Sequence, residues 1–176
     1  LSLFFFFTAT STPEIYTLSL HDALPICIPG LLERLLEELP KLEYDLCFYT
    51  GDYRFGKGAY HPAQIAPTVK LIDAIDAPLG IYGILGNHDF LDVVEPLEER
   101  GMKVLINESI ALGNNLYLAG VDDPHLYKCE DIDEALKDVP AESVSILLVH
   151  SPECIEEAAS KQTDVDRKST RLNSSH

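Results

Sequence analysis

Apolar and polar positions follow a helical period in several stretches of the chain. Positions 31, 32, 35, 36 and 39 are apolar and have charged residues between them, which is the pattern of an amphipathic helix that ends near Pro40. Similar signals, with proline near the start or glycine after the end, favour further helices. These are predicted at about 62–76, 92–101, 129–140 and from 152 onward.

Short continuous apolar runs between these helices predict buried strands. The three clearest are "YDLCFYTGD", "LGIYGILGNHD" and "SVSILLVHSPE". Residues 102–123 read as three more short strands, with a turn at Gly113-Asn114-Asn115. Because helices and apolar strands alternate, the predicted class is α/β, with some antiparallel pairing near 103–120.

Composition limits the function classes only in part. The chain has 176 residues, 46% of them hydrophobic, which suits one soluble domain, and no apolar stretch reaches the roughly 18 residues that suggest a membrane span. A net charge of −16 argues against a general nucleic-acid-coating surface. It leaves a phosphate-containing substrate open, since metal ions can supply local positive charge. The four cysteines show no C-x-x-C spacing and predict a reduced chain without a disulfide framework.

The two ends of the chain differ from its acidic, well-patterned middle. "EIYTLSLHDALPI", residues 14–26, and "DRKSTRLNSSH", residues 166–176, match the translated adapters of short-read DNA sequencing. We therefore expect 1–26 and 166–176 to be non-native and leave them out of the reasoning on fold and function. The predicted native domain is 27–165, which keeps 26 of the acidic and 10 of the basic residues.

Polar side chains follow three of the apolar strands at the point where each strand ends. Gly51-Asp52 follows the first, Gly86-Asn87-His88-Asp89 the second and Val149-His150-Ser151 the third. Ligands of open α/β sheets bind outside the carboxyl ends of strands, and oxygen and imidazole donors together suit Mn, Fe or Zn. Each stretch alone also has a plainer interpretation, as turn chemistry or as a hydrogen-bonded boundary histidine.

In this order the stretches resemble a known family. "TGDYRFG", "YGILGNHDF" and "LLVHSPE" look like the second, third and fourth signature blocks of the calcineurin-like metallophosphoesterases. The wider frame, with "GMKVLINES" and "LYLAGVDDP", resembles the YkuE-like and YaeI-like predicted phosphohydrolases. The resemblance covers about 40–165 and implies a β-sandwich flanked by helices, here a partial αββα-like domain.

The resemblance implies a role for each strand-end residue. Asp52 matches the aspartate that bridges two metal ions, and Asn87 and His150 match ligands of the second ion. His88 matches the catalytic histidine that contacts the scissile phosphate, and Asp89 would orient His88. The implied reaction is hydrolysis of a phosphoester by water that two divalent ions, Mn, Fe or Zn, activate.

Two of the family's blocks have no match. Nothing before Asp52 resembles its opening Asp-x-His, and nothing after His150 resembles its closing Gly-His-x-His. Asp123-Pro124-His125 comes after the Asn-His block and is interpreted as a loop coincidence. We therefore expect an inactive fragment of an active enzyme. The alternatives are a non-catalytic scaffold with this fold, or a simple α/β binding protein.

The expected substrate is a phosphoester, lipid-linked or containing a nucleotide sugar if the chain follows its YkuE-like relatives. The parent protein would then be cytoplasmic or membrane-associated, with any membrane anchor in an N-terminal segment that this sequence lacks.

Overall fold

Seven strands in two sheets and four short helices make up the described part of the chain. The computed structural model describes residues 4–7, 30–54 and 59–151. The strands are β1 (Phe4–Phe7), β2 (Leu46–Tyr49), β3 (Ile81–Gly83), β4 (Met102–Val104), β5 (Glu108–Gly113), β6 (Leu116–Gly120) and β7 (Val144–Leu148). The helices are α1 (Leu31–Glu38), α2 (Ala66–Ala74), α3 (Val94–Glu98) and α4 (Ile132–Leu136).

The two sheets differ in their pairing. The first has the order β1-β2-β3-β4, in which β2, β3 and β4 are parallel and β1 is antiparallel to β2. The second has the order β5-β6-β7, with β5 and β6 antiparallel and β6 and β7 parallel. The predicted turn is confirmed: Asn114 and Asn115 adopt φ angles of 48° and 62°, the left-handed conformation that a tight hairpin requires. The parallel pairs bring the carboxyl ends of β2 and β3 to the same edge.

Alternate residues of β2 face two different apolar layers, which explains its continuous apolar sequence. Leu46 and Phe48 pack between the two sheets, whereas Cys47 and Tyr49 pack under the helices of the first sheet. The layer between the sheets comprises Leu46, Phe48, Tyr82, Ile84, Leu105, Leu118, Ile146 and Leu148. Leu35 of α1, Leu71 of α2 and Leu97 of α3 contribute to the layer on the outside of the first sheet, and Ile132 of α4 to that of the second.

This layering of helices, sheet, sheet and helix confirms the predicted mixed α/β class and agrees with a partial αββα-like sandwich. The helices are shorter than their sequence signals suggested. The predicted helix at 62–76 begins as a 3₁₀ turn at Pro62–Gln64 and becomes α-helical only at Ala66. No helix among the described residues is long and apolar enough to cross a membrane. The helix predicted from 152 onward lies outside the described residues.

Strand β1 was not predicted, because residues 1–26 were left out of the sequence reasoning. Phe4 pairs with Tyr49 and Phe7 with Leu46, so β1 lies along the outer edge of β2. Four consecutive aromatic residues have high strand propensity, and a strand edge offers unpaired backbone N–H and C=O groups to any such segment. The pairing is therefore expected for this tetrapeptide whether or not the segment is native. The assignment of 1–26 and 166–176 as non-native stays a prediction.

Candidate functional site

Three strand ends converge on one group of polar side chains. Asp52 follows β2, Asn87 follows β3, and His150 follows β7 of the other sheet. The Nε2 atom of His150 lies 3.1 Å from Oδ1 of Asn87 and 3.8 Å from Oδ1 of Asp52. The three residues predicted as metal ligands therefore lie together, between the carboxyl ends of strands from both sheets.

The His150 ring is oriented by the backbone of the first sheet. Its Nδ1 atom lies 2.6 Å from the carbonyl oxygen of Thr50, which can only accept a hydrogen bond. Nδ1 therefore carries a hydrogen and donates a hydrogen bond to Thr50, and Nε2 is the ring nitrogen that faces Asn87 and Asp52. This is the orientation in which a histidine binds a metal ion through Nε2 while a backbone carbonyl holds the other nitrogen.

Three polar atoms converge at the side of the ring away from Thr50. Nε2 of His150 lies 3.1 Å from Oδ1 of Asn87, which can only accept a hydrogen bond, and the Asp52 carboxylate lies beside them. Such an arrangement is favourable when a positive charge lies among the three atoms, either a second proton on His150 or a metal ion. The side chains of His150 and Asp52 are only 16% and 8% exposed, so water screens this arrangement weakly.

The donor set fits one divalent ion of the kind expected from the sequence. A carboxylate, an amide oxygen and an imidazole are a mixed oxygen and nitrogen set, which suits Mn, Fe or Zn. Within residues 4–7, 30–54 and 59–151, no three His, Cys, Asp or Glu side chains are grouped closely enough to hold a metal ion. The candidate site therefore depends on the amide of Asn87 as its third ligand.

The Asp89 carboxylate joins the loops that follow β2 and β3. It is fully buried and accepts three backbone N–H bonds: from Gly86 at 2.9 Å, from Tyr53 at 2.8 Å and from Asp52 at 2.5 Å. Burial raises the pKa of Asp89 above its ordinary value, against the opposing effect of these N–H donors. Its observed contacts hold the backbone on either side of the site, and its predicted action on the His88 ring stays a prediction.

His88 lies at the exposed side of the site. Its backbone N–H donates to Oδ1 of Asp52 at 3.2 Å, while the residue itself is exposed to solvent. The imidazole is therefore accessible to a bound molecule from the same loop that carries Asn87. Its predicted contact with a phosphate is not tested by this geometry.

Two glycines allow the close approach of the strand ends. A Cβ atom on Gly86 would lie 2.5 Å from Oδ1 of Asp52 and 2.8 Å from Cε1 of His150. A Cβ atom on Gly51, whose φ is +93°, would lie 2.4 Å from the backbone nitrogen of Gly86. All three distances are shorter than real Cβ contacts, so the strand ends can approach this closely only because both residues are glycine.

Asp52 itself has the left-handed backbone conformation, with φ at 60°. This conformation is uncommon for a residue other than glycine and persists only where the surroundings stabilise it. The bond from the Asp52 N–H to Asp89 and the bond from His88 to the Asp52 side chain provide that support. Strain of this kind is concentrated at functional sites, which agrees with the position of Asp52 among the candidate ligands.

Two partners of this site were not predicted from the sequence. The carbonyl of Thr50 has no side-chain signal, because any residue offers the same oxygen. Asp123, assigned to a loop coincidence, accepts a hydrogen bond from Ser151, the residue after His150. The sequence did contain a signal for Asp123, because "AGVDD" and "LLVHS" are both apolar strands that end in polar residues.

Comparison with known proteins supports the metallophosphoesterase resemblance. Over 98 residues the chain is 32% identical to an uncharacterized metallophosphoesterase of Aquifex aeolicus (strain VF5). The match covers 51% of this chain and 38% of that relative, so the chain spans well under half of the relative's length. No protein-family model matches the chain. No solved structure matches it either.

Proposed function

We propose that this chain is part of a metal-dependent phosphoester hydrolase in which Asp52, Asn87 and His150 bind one divalent ion. The observation that carries the proposal is the convergence of three potential ligand atoms: Nε2 of His150 lies 3.1 Å from Oδ1 of Asn87 and 3.8 Å from Oδ1 of Asp52. A binding scaffold would have no need of such an arrangement. The similarity to a protein named as a metallophosphoesterase supports the reaction class.

The chain's own residues have distinct parts in this proposal. A bound divalent ion supplies positive charge for the phosphate and lowers the pKa of a bound water. Asp52 offers a negative charge, Asn87 a neutral oxygen, and His150 a nitrogen that Thr50 orients. The exposed His88 would donate a proton to the leaving oxygen, a contribution that typically accelerates a reaction by about 10²- to 10⁴-fold.

We further propose that the complete protein uses two divalent ions, Mn, Fe or Zn, with Asp52 shared between them. The resemblance to the second, third and fourth family blocks supports this, because the unmatched blocks are those that supply the remaining ligands. In the chain as given, Asp52 would be the sole ligand of the other ion among the matched blocks. A site with a single protein ligand holds an ion weakly, since metal sites in proteins normally have several.

The metal proposal is tested by binding of Mn²⁺ to the full chain, measured by calorimetry. We expect one ion to bind. His150→Ala should weaken Mn²⁺ binding by about 100-fold, because loss of a residue that only orients a ligand already weakens metal binding by up to about that factor. His61→Asn is the matched control, because His61 is exposed and caps the turn at Pro62–Gln64, a task asparagine can perform. Equal Mn²⁺ affinity in His150→Ala and the unaltered chain would contradict the proposal.

The enzymatic proposal is tested with bis(p-nitrophenyl) phosphate and Mn²⁺. We expect little or no turnover from the 176-residue chain and clear turnover from a longer protein encoded by the source locus. That locus is expected to encode Asp-x-His upstream of Cys27 and Gly-His-x-His downstream of Val165. A longer protein with both blocks that binds Mn²⁺ without turnover would instead favour the scaffold alternative.

A further inference from the structure

The position of His150 is not set by the sheet that leads to it. Strands β6 and β7 run parallel, and their pairing ends at Gly120 and Leu148. One further bond joins them, from the N–H of Val121 to the carbonyl of Leu148 at 3.1 Å. Beyond it both segments leave the sheet, so other contacts must fix the backbone that carries His150.

Ser151 provides such a contact. Its hydroxyl donates to Oδ2 of Asp123 at 2.5 Å, and the hydroxyl oxygen of Ser151 lies 3.2 Å from Nδ1 of His125. Asp123 and Ser151 are 2% and 6% exposed. A carboxylate this deeply buried is costly unless it is hydrogen-bonded, and the serine hydroxyl is one of its partners. The residue directly after His150 is therefore held at a defined point of the loop that follows β6.

Asp123 is itself held firmly enough to serve as an anchor. Its Oδ1 accepts the backbone N–H of His125 at 2.8 Å, and its own N–H donates to Oδ1 of Asp122 at 2.9 Å. The N–H of Asp122 donates in turn to Oδ1 of Asn107 at 3.0 Å. These bonds tie the loop after β6 to the segment that enters β5.

We infer that Asp123 is a positioning residue for His150, acting through Ser151. His150 has two anchors: its ring nitrogen donates to the Thr50 carbonyl, just after β2 of the first sheet, and its following residue donates to Asp123, in the loop after β6 of the second sheet. The two anchors together set the distance from Nε2 to Asn87 and Asp52. The consequence for metal binding rests on the proposed function, whereas the placement of the ring does not.

The experiment uses Ser151→Ala in the full chain, with Ser143→Ala as the matched control. Ser143 lies just before the other end of β7 and donates its hydroxyl to the Pro140 carbonyl, so the control removes the same group far from the site. The first readout is the ring nitrogen NMR spectrum of His150 without metal. We expect Nδ1 to be the protonated nitrogen in the unaltered chain and in Ser143→Ala, and the two tautomers to exchange in Ser151→Ala.

The second readout is Mn²⁺ affinity. We expect Ser151→Ala to weaken binding by about 10- to 100-fold, as for other partners that orient a ligand, and Ser143→Ala to leave it unchanged. Asp123→Asn should weaken binding less, and combining it with Ser151→Ala should add little, because both act on one hydrogen bond. If Asp123→Asn does not fold, Ser151→Ala decides alone.

The outcomes separate this inference from the proposed function. If Ser151→Ala behaves like Ser143→Ala in both readouts while His150→Ala still loses Mn²⁺, the inference is overturned and the metal site stands. If the unaltered chain binds no Mn²⁺, the metal site fails and the NMR readout decides. Tautomer exchange of the His150 ring in Ser151→Ala then supports the positioning role of Asp123, and a ring protonated on Nδ1 as in the unaltered chain overturns it.

Discussion

Gly86→Ala is expected to abolish measurable Mn²⁺ binding and to lower the free energy of unfolding by about 3 kcal/mol, near the upper end of the usual cost of overpacking. The added Cβ would lie 2.5 Å from Oδ1 and 2.6 Å from the backbone nitrogen of Asp52. It would also lie 2.8 Å from Cε1 of His150. Because one of these atoms belongs to the backbone, the loop after β2 must move to relieve the clash and takes Asp52 with it, and the His150 ring must also shift.

The matched control for this substitution is Gly101→Ala. Gly101 follows α3, has a φ of +91°, and a Cβ there would meet nothing within 4 Å. Alanine at that position carries conformational strain of about 1 to 2 kcal/mol without any clash. Urea denaturation and Mn²⁺ calorimetry of the two variants separate strain from steric displacement. A Gly86→Ala protein with the stability and affinity of the unaltered chain would show that the loops approach less closely than described.

Much of the fold could be predicted because the residue types within each strand and turn match the local environment of that segment. β2 is apolar at every position since Leu46 and Phe48 face one layer and Cys47 and Tyr49 the other. The hairpin between β5 and β6 could be predicted because asparagine tolerates the left-handed conformation better than most residues. Element bounds were less accurate, because a 3₁₀ turn and an α-helix share much of their sequence preference.

The part of the site that could be predicted consists of the side chains that follow the ends of apolar strands. Parallel pairing of β2 and β3 makes the meeting of Asp52 and Asn87 an expectation from topology. His150 comes from the other sheet, so strand pairing does not predict its place beside them; that place was predicted from its position at the end of an apolar strand and from the family resemblance. The partners of Asp89 are backbone N–H groups, which every residue except proline carries, and no sequence pattern distinguishes them.

Asp89→Asn is expected to lower the free energy of unfolding by about 1 to 3 kcal/mol, the range for leaving a buried hydrogen-bonding group without its partner. The aspartate accepts three N–H bonds with its two oxygens. Asparagine has one side-chain oxygen, so its amide group must face at least one of the three N–H donors. Both groups are donors, and a buried donor without an acceptor costs about 1 to 3 kcal/mol by itself.

The control for Asp89 is the same substitution at Asp73, an aspartate in an exposed ion pair. Asp73 is 49% exposed and lies 3.4 Å from Arg100, which is 52% exposed, so Asp73→Asn should cost no more than about 1 kcal/mol. Urea denaturation at pH 7 compares the two variants. Amide hydrogen exchange then locates the effect, because the N–H groups of Gly86, Asp52 and Tyr53 should exchange faster in Asp89→Asn than in Asp73→Asn. If these amides stay equally protected in both variants, the carboxylate does not hold the loops after β2 and β3 together, and the ligands depend on some other contact.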